Sequence, residues 1–587
     1  MNVHRPFLLA CLLAPAVNAA EISASDTIVV TATRSEIPIT DAIVPVTVIS
    51  REDIELSGAA DLAELLRFQA GIDIGRNGGP GQATSVFLRG TESNHVLVLV
   101  DGVRMNPGTI GGAAFQHVSP EVIERVEIVK GARSALYGTD AIGGVINIIT
   151  RRGDSTIEAG LGLGSFDSRN AFVSGGYRDD AFEFGITIDS ADTDGFSPSL
   201  TADIDRGYDN LTVNAYARAP YDGGDVSLRL WNADGNVEYL DFFLSPVDQD
   251  FTNNTTALQW NHTLGDFGSS SLIVSQMQDE IRQNQIPDFV DSTRTTVDWQ
   301  LSRTMGNNLL TGGLFFVDEN AEALSFGSPF DEDTDVRAVF VQNQWSGQNQ
   351  RVFAALRVTD YDSFGTETTW NLEYARDLRD DLTLNVGTAR AFRAPDAFDR
   401  FGFGGDPDLN PEVATEWQAG LQYSPATRHE VSFDIYQNDI EDLIEFEFVN
   451  FTLVNVDEAR VRGAELGYRY QGEGFTFSSS FTNQRAENRT TDTRLLRRAE
   501  QTVNVRYQQN IGQHRLGLSV LGSGHREDFG GTPLAGYVLA NLSGIYQVSE
   551  RIQLSARVEN VLDTDYETAA GFRMQERSLF VELRTRW

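Results

Sequence analysis

From about Thr156 to its last residue the chain alternates apolar and polar side chains, and no other feature limits its fold as strongly. Ile157, Ala159, Leu161 and Leu163 alternate with Glu158, Gly160, Gly162 and Gly164. Phe182, Phe184, Ile186 and Ile188 alternate with Glu183, Gly185, Thr187 and Asp189, and the dyad returns at Val431, Phe433, Ile435 and at Leu554, Ala556, Val558. Successive side chains of a strand point to opposite faces, so each run reads as a strand with one apolar face. Repeated between turn-rich segments, the pattern is that of a transmembrane β-barrel. Roughly 430 residues, at about 10 membrane residues per strand plus loops, make about 22 strands. A soluble β-sandwich or propeller alternates too, so the dyad needs support from elsewhere.

The first residues supply some of it. His4 and Arg5 precede an apolar stretch from Phe7 to Val17, and Val17-Asn18-Ala19 offers small residues for cleavage. Residues 1–19 therefore read as a secretory signal, too short to span a bilayer. Too little apolar sequence precedes Cys11, the only cysteine, for lipidation, and its removal with the leader leaves no thiol chemistry. No later stretch approaches 18 consecutive apolar residues, so the exported chain is either soluble or a barrel. At the other end, Leu579, Val581, Leu583, Thr585 and Trp587 share one strand face, and Phe580, Glu582, Arg584 and Arg586 the other. An amphipathic last strand ending on an aromatic residue resembles the terminal strand of outer-membrane proteins. The net charge of −38 argues against a nucleic-acid partner.

Residues 37–150 have a different grammar. Ser50-Arg51-Glu52-Asp53 reads as a capped helix start, residues 61–67 as a second helix, and Val96–Val100 as a strand buried on both faces. A barrel of about 22 strands has a lumen wide enough to need filling. This α+β unit is the expected plug, with the barrel occupying 151–587. Gly131, Gly138, Gly143 and Gly144 suit tight turns, and Gly143-Gly144 is expected to let the backbone pass close to the barrel wall. Between leader and plug lies a segment, 20–36, holding the β-branched run Asp26, Thr27, Ile28, Val29, Val30, Thr31 and Ala32. Such a run near a free N-terminus can add a strand to another protein's sheet edge; it can equally be the plug's first strand.

The motifs make the resemblance specific. DTIVVTA at 26–32 resembles the TonB box of TonB-dependent receptors. LRG at 88–90, LVLVDGVR at 97–104, IERVEIVKGARSALYGTDAIGGVINIIT at 123–150, FRAP at 392–395, DPDLNPE at 406–412 and VENVLDTDYE at 558–567 are similar to that family as well. The resemblance implies a monomeric outer-membrane transporter in contact with lipid. The TonB protein, with its ExbB–ExbD energising complex, would grip the box. Within the family, NGGPGQATSVFLRGTESNHVLVLVDGVRMN at 77–106, LLRRAEQ at 495–501 and DYETAAGF at 565–572 resemble the vitamin B12 receptor subgroup, which implies a cobalamin-like cargo.

Carried over residue by residue, that resemblance implies corrinoid contacts at Ala83, Ser85, Glu92, Ile110, Gly111, Arg497 and Phe529. Glu92 stands where the subgroup has an amide. The bland alternative for Arg497 is a lumen-facing arginine paired with a carboxylate. The subgroup also orders its outer loops with calcium held by aspartates, which would fall here to Asp203, Asp205, Asp241 and Asp250, although Ser197 stands where a further aspartate is expected. Asp203 and Asp205 share one side of an extended segment, as hard-cation binding requires. His95, beside the Val96–Val100 strand, reads as structural, and His117 is uncommitted. No GxSxG elbow, HExxH or phosphate loop is present, so no enzyme is apparent and no catalytic cofactor is expected. Two alternatives stay open. The cargo of such a transporter could be a siderophore, haem or another scarce ligand, and a passive porin or adhesin would carry a similar plug.

Overall fold

The structure, a computed structural model, describes residues 29–30, 34, 37–38, 42–44, 46–153, 155–447 and 450–587; the leader and most of 26–32 lie outside them. Twenty-two antiparallel strands close into a barrel in chain order, from Glu158–Gly164 round to Ser578–Arg586. Closure is made by the first and last strands, with Glu158 opposite Arg586 and Gly164 opposite Phe580. Thr493–Arg494 is a two-residue segment paired antiparallel with the end of the Phe475–Asn488 strand, ahead of the stave Gln501–Ile511, rather than a further stave.

Strands such as Asn308–Ser325 and Thr452–Gln471 are about twice as long as a membrane crossing needs. Connections at one rim are as short as Asp222-Gly223 and Gly306-Asn307, whereas those at the other include 394–411 and 560–577. Short turns mark the periplasmic rim and long loops the outer one.

The alternation sorts as expected. Along Glu183–Phe196, Glu183, Gly185, Thr187 and Asp189 are buried towards the lumen, and Phe184, Ile186 and Ile188 point outward. Leu579, Val581 and Leu583 of the last strand also face out, while Arg584 is buried inside. So many bare apolar side chains around one wall have no place on a soluble surface and match a lipid-facing band. Among the described residues no helix is long and apolar enough to cross a membrane.

Inside the barrel sits the α+β unit. Its mixed sheet runs in the order Val46–Ser50, Ile123–Lys130, Gly144–Thr150, Val96–Val100, Val103–Arg104, and its parallel pair joins Val96–Val100 to Gly144–Thr150. A hairpin of Ile72–Arg76 and Thr84–Leu88 stands beside it. Ser50 caps the helix Arg51–Ser57, its side chain accepting from Asp53 N while Asp53 accepts from Ser50 N, and Asp61 caps Leu62–Leu66. The buried faces of these elements pack into one apolar cluster, which Trp231, Ala233, Val237 and Phe251 of the wall join.

Further apolar contacts join Ala132 and Ile142, Ala135 and Leu136, and Val103 of the plug to wall residues such as Ala391, Phe353 and Met277, and ion pairs join the two parts as well. Arg89 and Lys130 reach Glu465 at 3.2 and 2.6 Å, Arg526 reaches Asp73 at 3.0 Å, and Arg584 reaches Glu121 at 2.7 Å. His95 is fully buried against Glu412 at 3.0 Å, a structural role. Buried pairs of this kind add little net stability but orient the parts they join. The plug is thus held both by ion pairs that water can replace and by apolar contacts with the wall.

The glycine expectation needs correcting. Cβ atoms on Gly143 and Gly144 would strike Thr91 and the Val129 carbonyl, which belong to the plug itself. The glycines of this group that face the wall are Gly131 (φ 87°), where a Cβ would lie 2.8 Å from Glu416 Oε2, and Gly138, where it would lie 3.3 Å from Arg357 Nη2. Sequence spacing shows where backbone must approach something; it does not reveal what.

Candidate ligand and coupling site

Three plug segments rise towards the outer rim. The first is the hairpin tip bearing Ala83 and Ser85. Ala83 is exposed and its carbonyl accepts from Asn77 N at 3.1 Å. Ser85 pairs with Gly75, whose missing Cβ would stand 3.7 Å from Arg497 Cδ. Arg497 itself has a left-handed backbone (φ 64°), donates to Asp528 at 2.9 Å, and lies 5.3 Å from the Phe529 ring centre. Two residues assigned from separate barrel motifs therefore meet as a cation–π pair above the hairpin. The carboxylate contact foreseen as the bland reading of Arg497 is present too.

Glu92, in the second segment, pairs with Arg498 rather than Arg497. Arg498 also stacks 4.4 Å from the Phe87 ring and donates to the Gly90 carbonyl at 3.2 Å. It is the functional candidate that sequence reasoning passed over. The third segment is the loop 107–112. Gly111 takes a positive φ of 65°, and its carbonyl accepts from Asn106 Nδ2 at 2.9 Å; Ile110 is exposed. Gly108 and Thr109 carbonyls accept from Ala397 and Phe398 N at 2.8 Å, which ties this loop to an outer barrel loop. A Cβ on Gly111 would lie 3.5 Å from Asn94 Cβ, so the second and third segments adjoin. The seven positions thus lie on neighbouring outward features.

The four aspartates are not gathered in this way. Asp203 is almost wholly exposed, 3.9 Å from Arg573. The Asp241 carboxylate accepts from Phe243 N and Ser245 N at 2.8 and 2.7 Å, and Asp250 accepts from Asn236 Nδ2 at 2.7 Å. Among the described residues no group of three or more acidic, histidine or cysteine side chains is close enough to hold a metal. As arranged, Asp241 serves a loop turn and Asp250 a bond to the neighbouring strand, and no shared cation site is formed among the described residues.

Towards the periplasm, Val29 and Val30 pair with Pro38 and Ile37 in a small antiparallel ladder. Two residues past the 26–32 run, Arg34 forms an ion pair with Asp298 of the wall, its guanidinium carbon 5.5 Å from the Tyr137 ring and 4.7 Å from that of Phe340. Gln300 Nε2 donates to the Arg34 carbonyl at 3.3 Å. Among the described residues of the leading segment, Arg34 is thus fastened to the barrel wall. Its partner is 264 positions away, so nothing local in the sequence announces it.

Plug ionisation is also shaped by the enclosure. Burial, reinforced by the positive charge of Arg76, holds His117 neutral with a pKa down at about 3; the ring stacks 3.6 Å from Phe251. Burial would raise Glu64, but Arg67 and Arg76 outweigh it and hold the carboxyl at about 2.

Two family models match the chain. "TonB dependent receptor-like, beta-barrel" covers residues 152–561, and "TonB-dependent Receptor Plug Domain" covers 38–145. Among curated proteins, the "Vitamin B12 transporter BtuB" of Photobacterium profundum is 31% identical, over 98% of each chain. The protein of that name from Vibrio vulnificus is 30% identical over 96% of this chain and 95% of its own. Among solved structures, the copper transporter OprC superposes with a TM-score of 0.81 at 18% identity, covering 92% of this chain and 99% of its own. A mutant of the ferric enterobactin receptor PfeA of Pseudomonas aeruginosa gives 0.80 at 16%, covering 92% and 98%. At such identities the solved structures speak for the fold alone.

Proposed function

The chain belongs to the TonB-dependent receptors, an outer-membrane family that are not enzymes, and from that premise we propose that it imports cobalamin or a related corrinoid into the periplasm. The observation that carries the cargo assignment is the near-complete alignment, at 30–31% identity, with proteins named vitamin B12 transporters. Cobalamin presents amides and a single phosphodiester charge. It asks for scattered hydrogen-bond partners and a few cations rather than the dense basic pocket an anionic ferric chelate would require. Carbonyls of the apical loops, Arg497 and the Phe529 face supply that kind of surface.

In this reading the corrinoid settles on Ala83, Ser85, Glu92, Ile110 and Gly111 beneath Arg497 and Phe529. Occupancy shifts the plug towards a state in which residues 26–32 are free in the periplasm, the only kind of effect a ligand can have on a two-state equilibrium. TonB, energised by ExbB and ExbD, adds a strand to that run and pulls. Arg34 is the first fastening to carry the load, and the ionic plug–wall contacts follow. Calcium enters no step.

Titration of the purified, folded protein with cyanocobalamin tests the cargo. Saturable binding, reduced at least tenfold in Arg497→Ala, supports the reading. Absence of binding to cyanocobalamin alongside saturable binding of ferric enterobactin or haem would transfer the same machinery to another cargo.

A further inference from the structure

A solvent-open cavity of about 1200 Å³ lies between the plug and one side of the wall. Phe364 and Pro395 line it near the outer loops, Gly108 and Gly111 along the apical loop, and Arg34 and Asp298 at its inner end. It therefore leads from the proposed ligand face to the fastening of the leading segment.

Five carboxylates line the cavity, and four are already paired: Asp140 with Arg104, Asp298 with Arg34, Glu319 with Arg294, and Asp396 with Arg393. Arg357 lines it as well and has no such partner among the described residues. Its side chain is 1% exposed, its Nε donates to Thr359 Oγ1 at 3.0 Å, and its Nη1 has no hydrogen-bond partner among the described residues. The fifth carboxylate, Glu332, stands eight residues along its strand from Phe340, which is the register partner of Arg357. At the rise of a strand that is about 26 Å away. The guanidinium carbon of Arg357 lies 4.6 Å from the Phe315 ring centre and 6.0 Å from that of Phe340, the ring on which Arg34 also rests. Opposite it stands Gly138 (φ 90°), where any Cβ would come within 3.3 Å of Arg357 Nη2. Two guanidiniums thus share one aromatic face; Asp298 is ion-paired with Arg34 and attracts Arg357 only from farther off, and among the described residues Arg357 has no ion pair of its own.

A buried cation without a partner is costly unless an anion joins it. We propose that the inner part of this cavity is an oxyanion subsite, in which Arg357, with Arg34 beside it, binds a phosphoryl oxygen. Aromatic rings at its edge exclude water and strengthen the charge-assisted hydrogen bonds. Inorganic phosphate and the phosphodiester of a solute passing between plug and wall share this chemistry. The subsite goes beyond the cobalamin reading, because it holds for any cargo bearing such a group.

The test uses the full-length folded protein in detergent, with phosphorus NMR line broadening of inorganic phosphate and of dimethyl phosphate at constant ionic strength set by chloride. Saturable binding of either, weakened at least tenfold in Arg357→Met and kept within about threefold in Arg357→Lys, supports the subsite. Preference for dimethyl phosphate identifies a cargo diester as the natural occupant, and preference for inorganic phosphate identifies the free ion. No saturable binding to the wild-type protein, or equal affinity in Arg357→Met, overturns it. Wild-type crystals soaked in arsenate give a reading that needs no variant: anomalous density within hydrogen-bond distance of Arg357 is expected, and its absence there also overturns the proposal.

Discussion

Replacing Asp298 by asparagine removes the counter-ion of Arg34 while keeping the shape of the site. Breaking a fully buried pair by removing one partner costs about 3–5 kcal/mol. Here the two side chains are 11% and 14% exposed, so the remaining cation recovers part of its hydration. The ring contacts with Tyr137 and Phe340 and the hydrogen bond from Gln300 also survive the change. A net loss of about 2 kcal/mol remains, which moves the fastened-to-released equilibrium of the leading segment by roughly 30-fold.

Trypsin reads that equilibrium directly. Cleavage after Arg34 requires both its side chain and its carbonyl to be free, and under limiting protease the rate follows the released population. The Asp298→Asn protein is expected to be cut after Arg34 about 30 times faster than wild type, with the barrel strands uncut. Arg34→Lys, which keeps the charge but loses the planar stacking, should leave the segment at an intermediate cleavage rate. A rate for Asp298→Asn within twofold of wild type would refute the claim that this pair fastens the segment.

Other outcomes follow from the same structure. The plug should lose stability as pH falls from about 6.5 towards 3: His117 has a depressed folded pKa, so its contribution is present above the unfolded value and lost on protonation. Glu64, held at about 2, adds a second loss of the same sign between about 4.5 and 2; a melting series in His117→Gln should flatten the first step and leave the second. Ile186→Lys, on the lipid face, should destabilise the barrel by about 2–4 kcal/mol in urea refolding into vesicles, and an unchanged midpoint would contradict the outward assignment of that face. Chelation with EDTA should leave cyanocobalamin affinity within twofold, because Asp203, Asp205, Asp241 and Asp250 do not converge; a tenfold loss would mean that they regroup around a cation.

The barrel was legible because its signal is local and repeated. Every Phe184–Ile186–Ile188 run states which face meets lipid, and the complementary Glu183 and Asp189 positions state which face meets the plug. The local cap at Ser50 was equally plain, whereas Asp61, read as the first residue of a helix, proves to be its cap. What could not be read is what each lumen-facing charge meets. Glu412 and Glu416 recur on one strand face, a sign of a charged lumen, yet their plug contacts, His95 to Glu412 and Ala132 N to Glu416, join positions hundreds of residues apart. Arg498 was missed for a related reason: beside Arg497 in LLRRAEQ, only the fold reveals that each arginine serves a different partner. The aspartates show the same limit, since favourable spacing within Asp203-Ile204-Asp205 says nothing about whether Asp241 and Asp250 approach them.

Uptake of radiolabelled cyanocobalamin by cells that carry this chain as their sole corrinoid receptor tests the account most directly, with the full chain set against a version lacking residues 26–32. Equal surface binding with accumulation only in the full chain is the expected result. Equal accumulation by both, or none by either despite surface binding, would contradict the idea that an external motor draws this plug open by its leading segment.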